Sequence, residues 1–215
     1  LQNGYTVSLI GYTGTPLIHP LEEASQQQKQ LHVIRVQPST PWKFLTQTKV
    51  FKPVYYLVRL MELIRVLGYA LLQMMMHSNN GVDCLLVQNP PSIPSLLLSY
   101  LFCYFYGATL IIDWHNLGFT MLTDLKETHW IRRLAYRYEQ HMSQKADGHL
   151  CVTKAMKQFL HQTFHLISDE DDSSSSSSSS RSRIKVLYDR PPSFFRRTTS
   201  NERIDLMNRL DATTN

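Results

Sequence analysis

The stretch LIIDWHNLGF, residues 110–119, decides how the rest of the chain is interpreted. An uninterrupted apolar run, 110–112, meets the polar group Asp113, Trp114, His115 and Asn116. Apolar runs without alternation are typical of strands that are buried on both faces. The stretch therefore predicts a buried strand whose carboxyl end carries a cluster of polar side chains.

Similar short runs occur at regular intervals on both sides of this stretch. They lie at 7–10, 31–36, 84–87, 109–112, 149–152 and 184–187. Longer segments with helical periodicity separate most of them, above all 54–76 and 129–144. Strands that alternate with helices predict an α/β fold with a Rossmann-like, doubly wound sheet.

Each of the two long helical segments has an apolar and a polar side. In 54–76, Arg59, Glu62 and Arg65 form a polar stripe beside an apolar one. In 129–144 the apolar residues repeat every four positions and form one face of the helix; they are Trp130, Leu134, Tyr138 and Met142. Glu139 does not belong to this apolar series and is expected to meet solvent. Thr153 stands where the N-cap of a further helix is expected.

Residues 92–112 contain no charge and are long enough to cross a bilayer as one helix. Gly107 interrupts this segment, and the β-branched end leads into Asp113. We therefore prefer a helix, a turn and a strand over a transmembrane span. Exposed apolar side chains on 93–106 or 54–76 would still let either helix lie on a membrane surface.

Composition excludes several classes of protein. The chain has 215 residues, 43% hydrophobic residues and a formal charge of +5, which suits a phosphate-bearing ligand or an anionic membrane without implying nucleic acid. Cys84, Cys103 and Cys151 form no metal-binding spacing and are predicted to be core thiols, so no metal site is expected. Signatures for dinucleotides, nucleoside triphosphates, zinc proteases and serine hydrolases are absent from the sequence.

The C-terminal part contains a low-complexity segment. Residues 168–183 are rich in serine and acidic residues, and we expect a disordered loop inserted into one domain that spans 1–197. Residues 198–215 are expected to form a short polar tail with at most a short helix.

Two groups of residues are candidates for a functional site. If 110–112 is a strand, then Asp113, His115 and Asn116 lie at the edge of the sheet where α/β folds bind ligands, and they suit a general base, its orienting partner and hydroxyl recognition. The alternative is that Asp113 caps a turn and His115 is a surface histidine. The loop VQNPPSIPS, 87–95, either presents Gln88 and Asn89 to a ligand or only turns the chain from strand to helix.

Four blocks of the sequence resemble a known family. LLVQNPPSIPS, LIIDWHNLGFTML, AYRYEQHMSQKADGHLCVTKAM and VLYDRPPSFF occur in this order and are similar to the acceptor-side half of chitobiosyldiphosphodolichol β-mannosyltransferases. The resemblance covers about residues 1–197 and implies the N-terminal domain of a GT-B glycosyltransferase.

The resemblance also implies an activity. Enzymes of this kind transfer mannose from GDP-mannose to diphosphodolichol-linked chitobiose at the cytosolic face of the endoplasmic reticulum membrane, and form a β-1,4 linkage with inversion and without a cofactor. Other mannosyltransferases of the dolichol pathway are possible partners. His115 or Asp113 would be the catalytic base and the other would orient it. Substrate binding would fall to the neighbouring residues Gln88, Asn89, Trp114 and Asn116.

Two features of the family are expected to be missing from the chain. The first is the N-terminal strand with its Gly-rich turn, which in the family comes after a membrane anchor. The second is the donor-binding domain. The chain would then supply only half of a two-domain active site. One alternative is a non-catalytic, truncated relative that acts as a membrane-associated interaction module. Another is an unrelated Rossmann-like binding domain.

Overall fold

The computed structural model describes residues 5–14, 31–37, 52–77, 81–122, 129–168, 183–190, 196 and 198–213. The strands are β1 (Val7–Tyr12), β2 (Leu31–Val36), β3 (Cys84–Asn89), β4 (Thr109–Trp114), β5 (Gly148–Cys151), β6 (Ile167–Ser168) and β7 (Arg183–Val186). The helices are α1 (Lys52–His77), α2 (Ser95–Tyr106), α3 (Trp130–Ser143), α4 (Lys154–Phe164) and α5 (Ser200–Thr213), with a 3₁₀ turn at Gly118–Met121.

From β2 to β6 the described strands and helices alternate, and every described strand pair is parallel. This confirms the predicted Rossmann-like α/β fold. The described strands form two sheets, with β1 beside β2 in one and the order β3-β4-β5-β7-β6 in the other. Each of the six predicted strands is present to within two residues at either end. The two-residue strand β6 was not predicted.

The core lies on one face of the five-stranded sheet. Leu110, Ile112 and Trp114 of β4 are almost completely buried there and belong to one cluster with Phe164 of α4. Ile10 and Ile34 of the small sheet pack against the same cluster. Because side chains alternate along a strand, Asp113 lies on the opposite face from Ile112 and Trp114. The core thus holds β4 rigidly beneath the polar residues at its end.

Helix, turn and strand account for the uncharged segment, as predicted. Helix α2 ends at Gly107, which has a left-handed backbone with φ of 68° and donates its N–H to Cys103 O. Glycine adopts this conformation at little cost, and β4 begins two residues later. Among the described helices, none is long and apolar enough to span a bilayer.

Helix α3 is rotated relative to the orientation that its apolar pattern predicted. Trp130 and Leu134 are mainly exposed, whereas Met142 is buried. The expectation that Glu139 meets solvent is wrong, because its side chain is only 1% exposed. The physical reason is that the Glu139 carboxylate meets hydrogen-bond donors from two neighbouring loops.

Helix α1 covers the predicted segment, but its buried positions differ in part from the apolar residues counted in the sequence. Leu57 and Met61 are exposed, whereas Val66, Ala70 and Met74 are buried. The helix packs on β2 and α2, which explains why its middle and C-terminal part are covered.

Two of the three cysteines are core thiols, as predicted. Cys103 and Cys151 are buried, but Cys84 is exposed, so the prediction was wrong for that residue. Cys84 begins β3, which is one of the two edge strands of the five-stranded sheet in the described part of the chain.

The remaining expectations concern the C-terminal region. Helix α5 lies in the predicted polar tail and its described side chains are exposed, but with 14 residues it is longer than the short helix expected there. Of the Ser-rich acidic segment, Ser168 belongs to β6 and Arg183 to β7, and 169–182 lie outside the described residues. The boundary at 197 stays a prediction.

Candidate active site at the carboxyl edge of the sheet

Strands β3 and β4 end side by side and bring the two predicted groups of polar residues together. In the parallel register Gln88 lies opposite Asp113, and Asn89 opposite Trp114. Gln88 is exposed, whereas Asp113 is half-buried. The candidate site therefore lies at the carboxyl ends of adjacent parallel strands, where open α/β sheets usually bind ligands.

His115 and Asp113 form a direct pair at this edge. His115 Nε2 lies 3.0 Å from Asp113 Oδ2, and the two side chains are 32% and 19% exposed. A carboxylate at this distance fixes the orientation and the tautomer of an imidazole ring. When Asp113 accepts the Nε2 proton, the other ring nitrogen carries a lone pair that can take a proton from a substrate.

A second carboxylate faces that other nitrogen. Asp189 Oδ2 lies 3.8 Å from His115 Nδ1, and the Asp189 side chain is 72% exposed. The imidazole thus lies between a half-buried carboxylate and a solvent-exposed one. Sequence reasoning missed Asp189, although it follows β7 in the same way that Asp113 ends β4. Because parallel strands end at one edge, the rule that selected Asp113 also applies to Asp189.

Asn89 connects the two loops instead of facing solvent. Its backbone carbonyl accepts hydrogen bonds from the N–H groups of His115 (3.1 Å) and Asn116 (3.3 Å). Its side-chain Nδ2 donates to Asn116 O at 3.1 Å, while Asn89 Oδ1 is buried without a hydrogen-bond partner among the described residues. Asn89 is fully buried, so its amide holds the backbone of the site. Asn116 is exposed at the mouth of the site.

Trp114 points away from the candidate site and into the core. Its side chain is fully buried, and its indole packs edge-on against Phe164 at 5.9 Å between ring centroids. The indole Nε1 donates a hydrogen bond to His149 Nδ1 at 3.0 Å. Burial lowers the pKa of His149 to about 4, so His149 is neutral and accepts this bond. The indole has no face open to a ligand from solvent.

The described residues contain no group of three or more His, Cys, Asp or Glu side chains arranged to hold a metal ion. The chemistry that the site can perform with its own residues is proton transfer by His115 under the control of its carboxylates. Gln88 and Asn116 can donate and accept hydrogen bonds at its rim.

Comparison with known proteins identifies relatives for most of the chain. A chitobiosyldiphosphodolichol beta-mannosyltransferase from Yarrowia lipolytica is 30% identical over 213 residues, which cover 96% of this chain and 39% of the relative. The enzyme of the same name from Dictyostelium discoideum is 28% identical over 94% of this chain and 38% of the relative. UDP-glycosyltransferase TURAN from Arabidopsis thaliana is 37% identical over 60% of this chain and 24% of the relative.

The matched part is thus less than half of each of these relatives, between 24% and 39% of their length. No protein-family model matches the chain. No solved structure matches it either.

Proposed function

We propose that this chain, which belongs to the family of chitobiosyldiphosphodolichol β-mannosyltransferases, carries acceptor-side catalytic residues of an enzyme that transfers mannose from GDP-mannose to diphosphodolichol-linked chitobiose. The observation that carries the proposal is the position of His115. Its ring lies between Asp113 and Asp189 at the carboxyl edge of a parallel sheet.

The proposed reaction forms a β-1,4 linkage with inversion. A GlcNAc hydroxyl of the acceptor gives its proton to His115 Nδ1 while its oxygen attacks the anomeric carbon of mannose. The bond between that carbon and the diphosphate oxygen breaks, and GDP leaves with the electron pair. Asp113 holds the ring through Nε2 and stabilises the imidazolium that results.

Asp189 and the rim residues have supporting roles in this proposal. Asp189 lies close enough to the Nδ1 side of His115 to accept a hydrogen bond from the incoming sugar or to stabilise the charged ring. Gln88 and Asn116 are exposed and suit contacts with sugar hydroxyls. Asn89 and Trp114 support the site from below, since both are fully buried.

The activity is tested with the full-length product of the gene. We would supply GDP-mannose labelled in the sugar, or UDP-sugars, together with a chitobiose-diphosphate lipid acceptor. The proposal predicts one labelled trisaccharide lipid from GDP-mannose, whose mannose is released by a β-mannosidase but not by an α-mannosidase. Transfer from a UDP-sugar in place of GDP-mannose, or an α-linked product, would refute the proposal.

A membrane surface is the proposed place of action, specifically the cytosolic face of the endoplasmic reticulum. Helix α2 presents Leu97, Leu101, Tyr104 and Phe105 to solvent at i, i+4, i+7 and i+8 spacing, and we call these residues the apolar face of α2. Tyr104 and Phe105 are 70% and 75% exposed. Aromatic and leucine side chains on one helix face suit insertion into a lipid headgroup region.

The same face supports a second candidate function. A chain without catalytic activity of its own would act as a membrane-associated interaction module that binds lipid or other dolichol-pathway mannosyltransferases through the apolar face of α2. The transfer assay separates the candidates, because the module predicts membrane binding with no mannosyl transfer.

A further inference from the structure

Glu139 is a buried carboxylate that the proposed reaction does not use. It lies in the middle of α3, and its side chain is 1% exposed. Carboxylates are rarely buried so completely unless they are paired or hydrogen-bonded, because desolvation is costly. Among the described residues, its hydrogen-bond partners are hydroxyl and backbone donors of the loops at the candidate site, and none of them is a cation.

The partners of Glu139 come from the loops that follow β3 and β4. Ser92 Oγ, in the loop after β3, donates a short hydrogen bond to Glu139 Oε1. Phe119 N, in the 3₁₀ turn after β4, donates to the same oxygen at 3.0 Å. One carboxylate oxygen thus joins both loops to α3. Burial raises the pKa of Glu139, and its bonds with Ser92, Phe119 and Gly118 oppose this shift.

Gly118 shows how closely the loop approaches this carboxylate. A Cβ atom at Gly118 would lie 2.5 Å from Glu139 Oε1 and would also overlap Ser92 Oγ. Only glycine fits here without displacing the hydrogen-bonded group. Glycine at the first position of the 3₁₀ turn therefore lets the backbone approach the Glu139 carboxylate this closely.

Neighbouring contacts join α3 to the loop after β3, to the start of α2 and to the 3₁₀ turn. Tyr138 Oη accepts a hydrogen bond from Leu97 N at 3.0 Å and lies 3.4 Å from Ser92 O, where it can donate. Phe119 packs edge-on against Tyr136 of α3, with ring centroids 5.2 Å apart. These contacts hold the loops near α3, while Glu139 fixes the backbone at Gly118 and Phe119.

We propose that Glu139 is a positioning residue for His115. By accepting hydrogen bonds from Ser92 and Phe119, it sets the path of the chain after β4 and so the placement of the imidazole against Asp113. Only two residues, Asn116 and Leu117, lie between His115 and Gly118, so a shift at Gly118 is transmitted to the ring. The part of this inference that concerns turnover rests on the proposed function, whereas the part that concerns geometry does not.

The geometric part is tested by nuclear magnetic resonance of the His115 ring nitrogens in the full chain. Glu139→Ala and Gly118→Ala should each move the His115 ring signals toward those of a free imidazole. Glu139→Gln should leave them near the wild-type positions, because its carbonyl oxygen can accept the same hydrogen bonds. Ser92→Ala removes one donor and should give an intermediate change.

Gln140→Ala is the matched control. Gln140 is the next residue of α3, and its side chain donates to Thr163 O of α4 at 3.1 Å, away from both loops. Its loss should lower stability without moving the His115 signals. If Glu139→Ala does not fold, the inference is tested by the other variants. His115 signals that move in Ser92→Ala and Gly118→Ala but stay near the wild-type positions in Glu139→Gln would support it, and signals that do not move in Ser92→Ala and Gly118→Ala would overturn it.

Turnover of the full-length enzyme gives the second readout. We expect Glu139→Ala and Gly118→Ala to lower kcat about 10- to 100-fold, with a smaller change in KM, because misplacement of a catalytic group by about 1 Å is that costly. Glu139→Gln should restore most of kcat.

Unchanged His115 signals and kcat in folded Glu139→Ala would overturn the inference. So would equal damage from Gln140→Ala, or a Glu139→Gln variant as impaired as Glu139→Ala. Absence of mannosyl transfer in the wild-type protein would instead refute the proposed function, and the resonance experiment would still decide the role of Glu139.

Discussion

At the scale of single residues, Trp114 and His149 form a buried pair beneath the candidate site. Trp114 donates to His149 Nδ1 at 3.0 Å, and His149 is only 2% exposed. A protonated ring would place two donors face to face in the core. Neutral His149 is therefore a condition for the packing that supports β4.

This pair predicts a loss of stability in acid. The pKa of His149 is about 4 in the folded chain, against an ordinary value of 6.5. The stability that depends on the neutral ring is fully present above pH 6.5 and is lost as the pH falls from 6.5 to about 4. The total is about 3 kcal/mol.

Urea unfolding at pH 7, 5.5 and 4 measures this loss. His149→Asn keeps an acceptor near the position of Nδ1 but does not titrate in this range, so its free energy of unfolding should fall less with pH than that of the wild type. Glu139 titrates in both proteins, so its contribution cancels in the comparison. Equal pH dependence in the two proteins would show that His149 is not the titrating group.

Single residues also show which parts of the candidate site could be predicted from the sequence. Asp113 and His115 could be predicted as a pair because both follow an apolar run. Asp189 satisfies the same rule but stands after a different strand, and its proximity to His115 depends on the sheet order. The burial of Trp114 follows only once β4 is known to extend to residue 114, because side-chain alternation then places Trp114 opposite the polar residues that flank it.

At the scale of elements, capping side chains show where a helix begins, which an apolar pattern alone does not determine. Thr153 has an extended backbone, and its hydroxyl accepts a hydrogen bond from Met156 N at 3.1 Å at the start of α4. This confirms the predicted N-cap. His129 caps α3 in a similar way through Nδ1 and Ile131 N, although histidine is not among the preferred capping residues.

The cap on α4 can be tested by substitution. Thr153→Ala should lower the free energy of unfolding by about 1 kcal/mol, because the N–H of Met156 loses its acceptor. Thr153→Ser keeps the hydroxyl and should stay close to the wild type. Thermal or urea unfolding of the three proteins measures the difference, and an alanine variant as stable as the serine variant would contradict the assignment.

Helix α3 shows why a correct helix can be predicted with the wrong buried face. Its boundaries agree with the sequence pattern to within one residue. Trp130 and Leu134 suggested one orientation, but the partners of Glu139 lie in loops that are distant in sequence. A pattern within one segment contains no information about donors that other segments supply, so tertiary contacts decided the orientation.

At the scale of the whole molecule, apolar surface remains exposed at several places in the described part of the chain. The apolar face of α2 is one, and Ile204 and Met207 of α5 are another. Large contiguous apolar patches on a protein surface usually mark interaction sites. The face of α2 combines leucine with aromatic residues along one side of a helix, which favours lipid as its partner.

Flotation of the full chain with phosphatidylcholine and phosphatidylinositol vesicles tests this assignment. Replacing both Leu101 and Phe105 by Ser should reduce the bound fraction severalfold, since each apolar side chain contributes about 1.5–3 kcal/mol when fully buried. Replacing Ile204 and Met207 by Ser is the matched control and should have little effect. Equal binding by the wild type and the Leu101/Phe105 variant would exclude this face as the lipid contact.

The α/β fold was predictable as a whole because alternation of strands and helices is a local property that repeats along the chain. The division of the strands between two sheets was not predictable, since hydrogen-bonded neighbours are chosen among distant segments. The candidate site was likewise predictable only in part. Its position at the edge of the sheet could be predicted from the sequence. The hydrogen bonds of Asn89 and Glu139 that hold it could not, because they depend on tertiary contacts.

The most direct test of the central claim is the turnover of His115→Ala and Asp113→Asn in the full-length enzyme, measured as mannosyl transfer from GDP-mannose. The exposed His141 on α3 supplies the control, His141→Ala. If His115 is the base, His115→Ala lowers kcat by about 10² to 10⁴. Asp113→Asn should also lower kcat, and the control should not. Near-normal kcat in both His115→Ala and Asp113→Asn would contradict the claim that this pair performs the proton transfer.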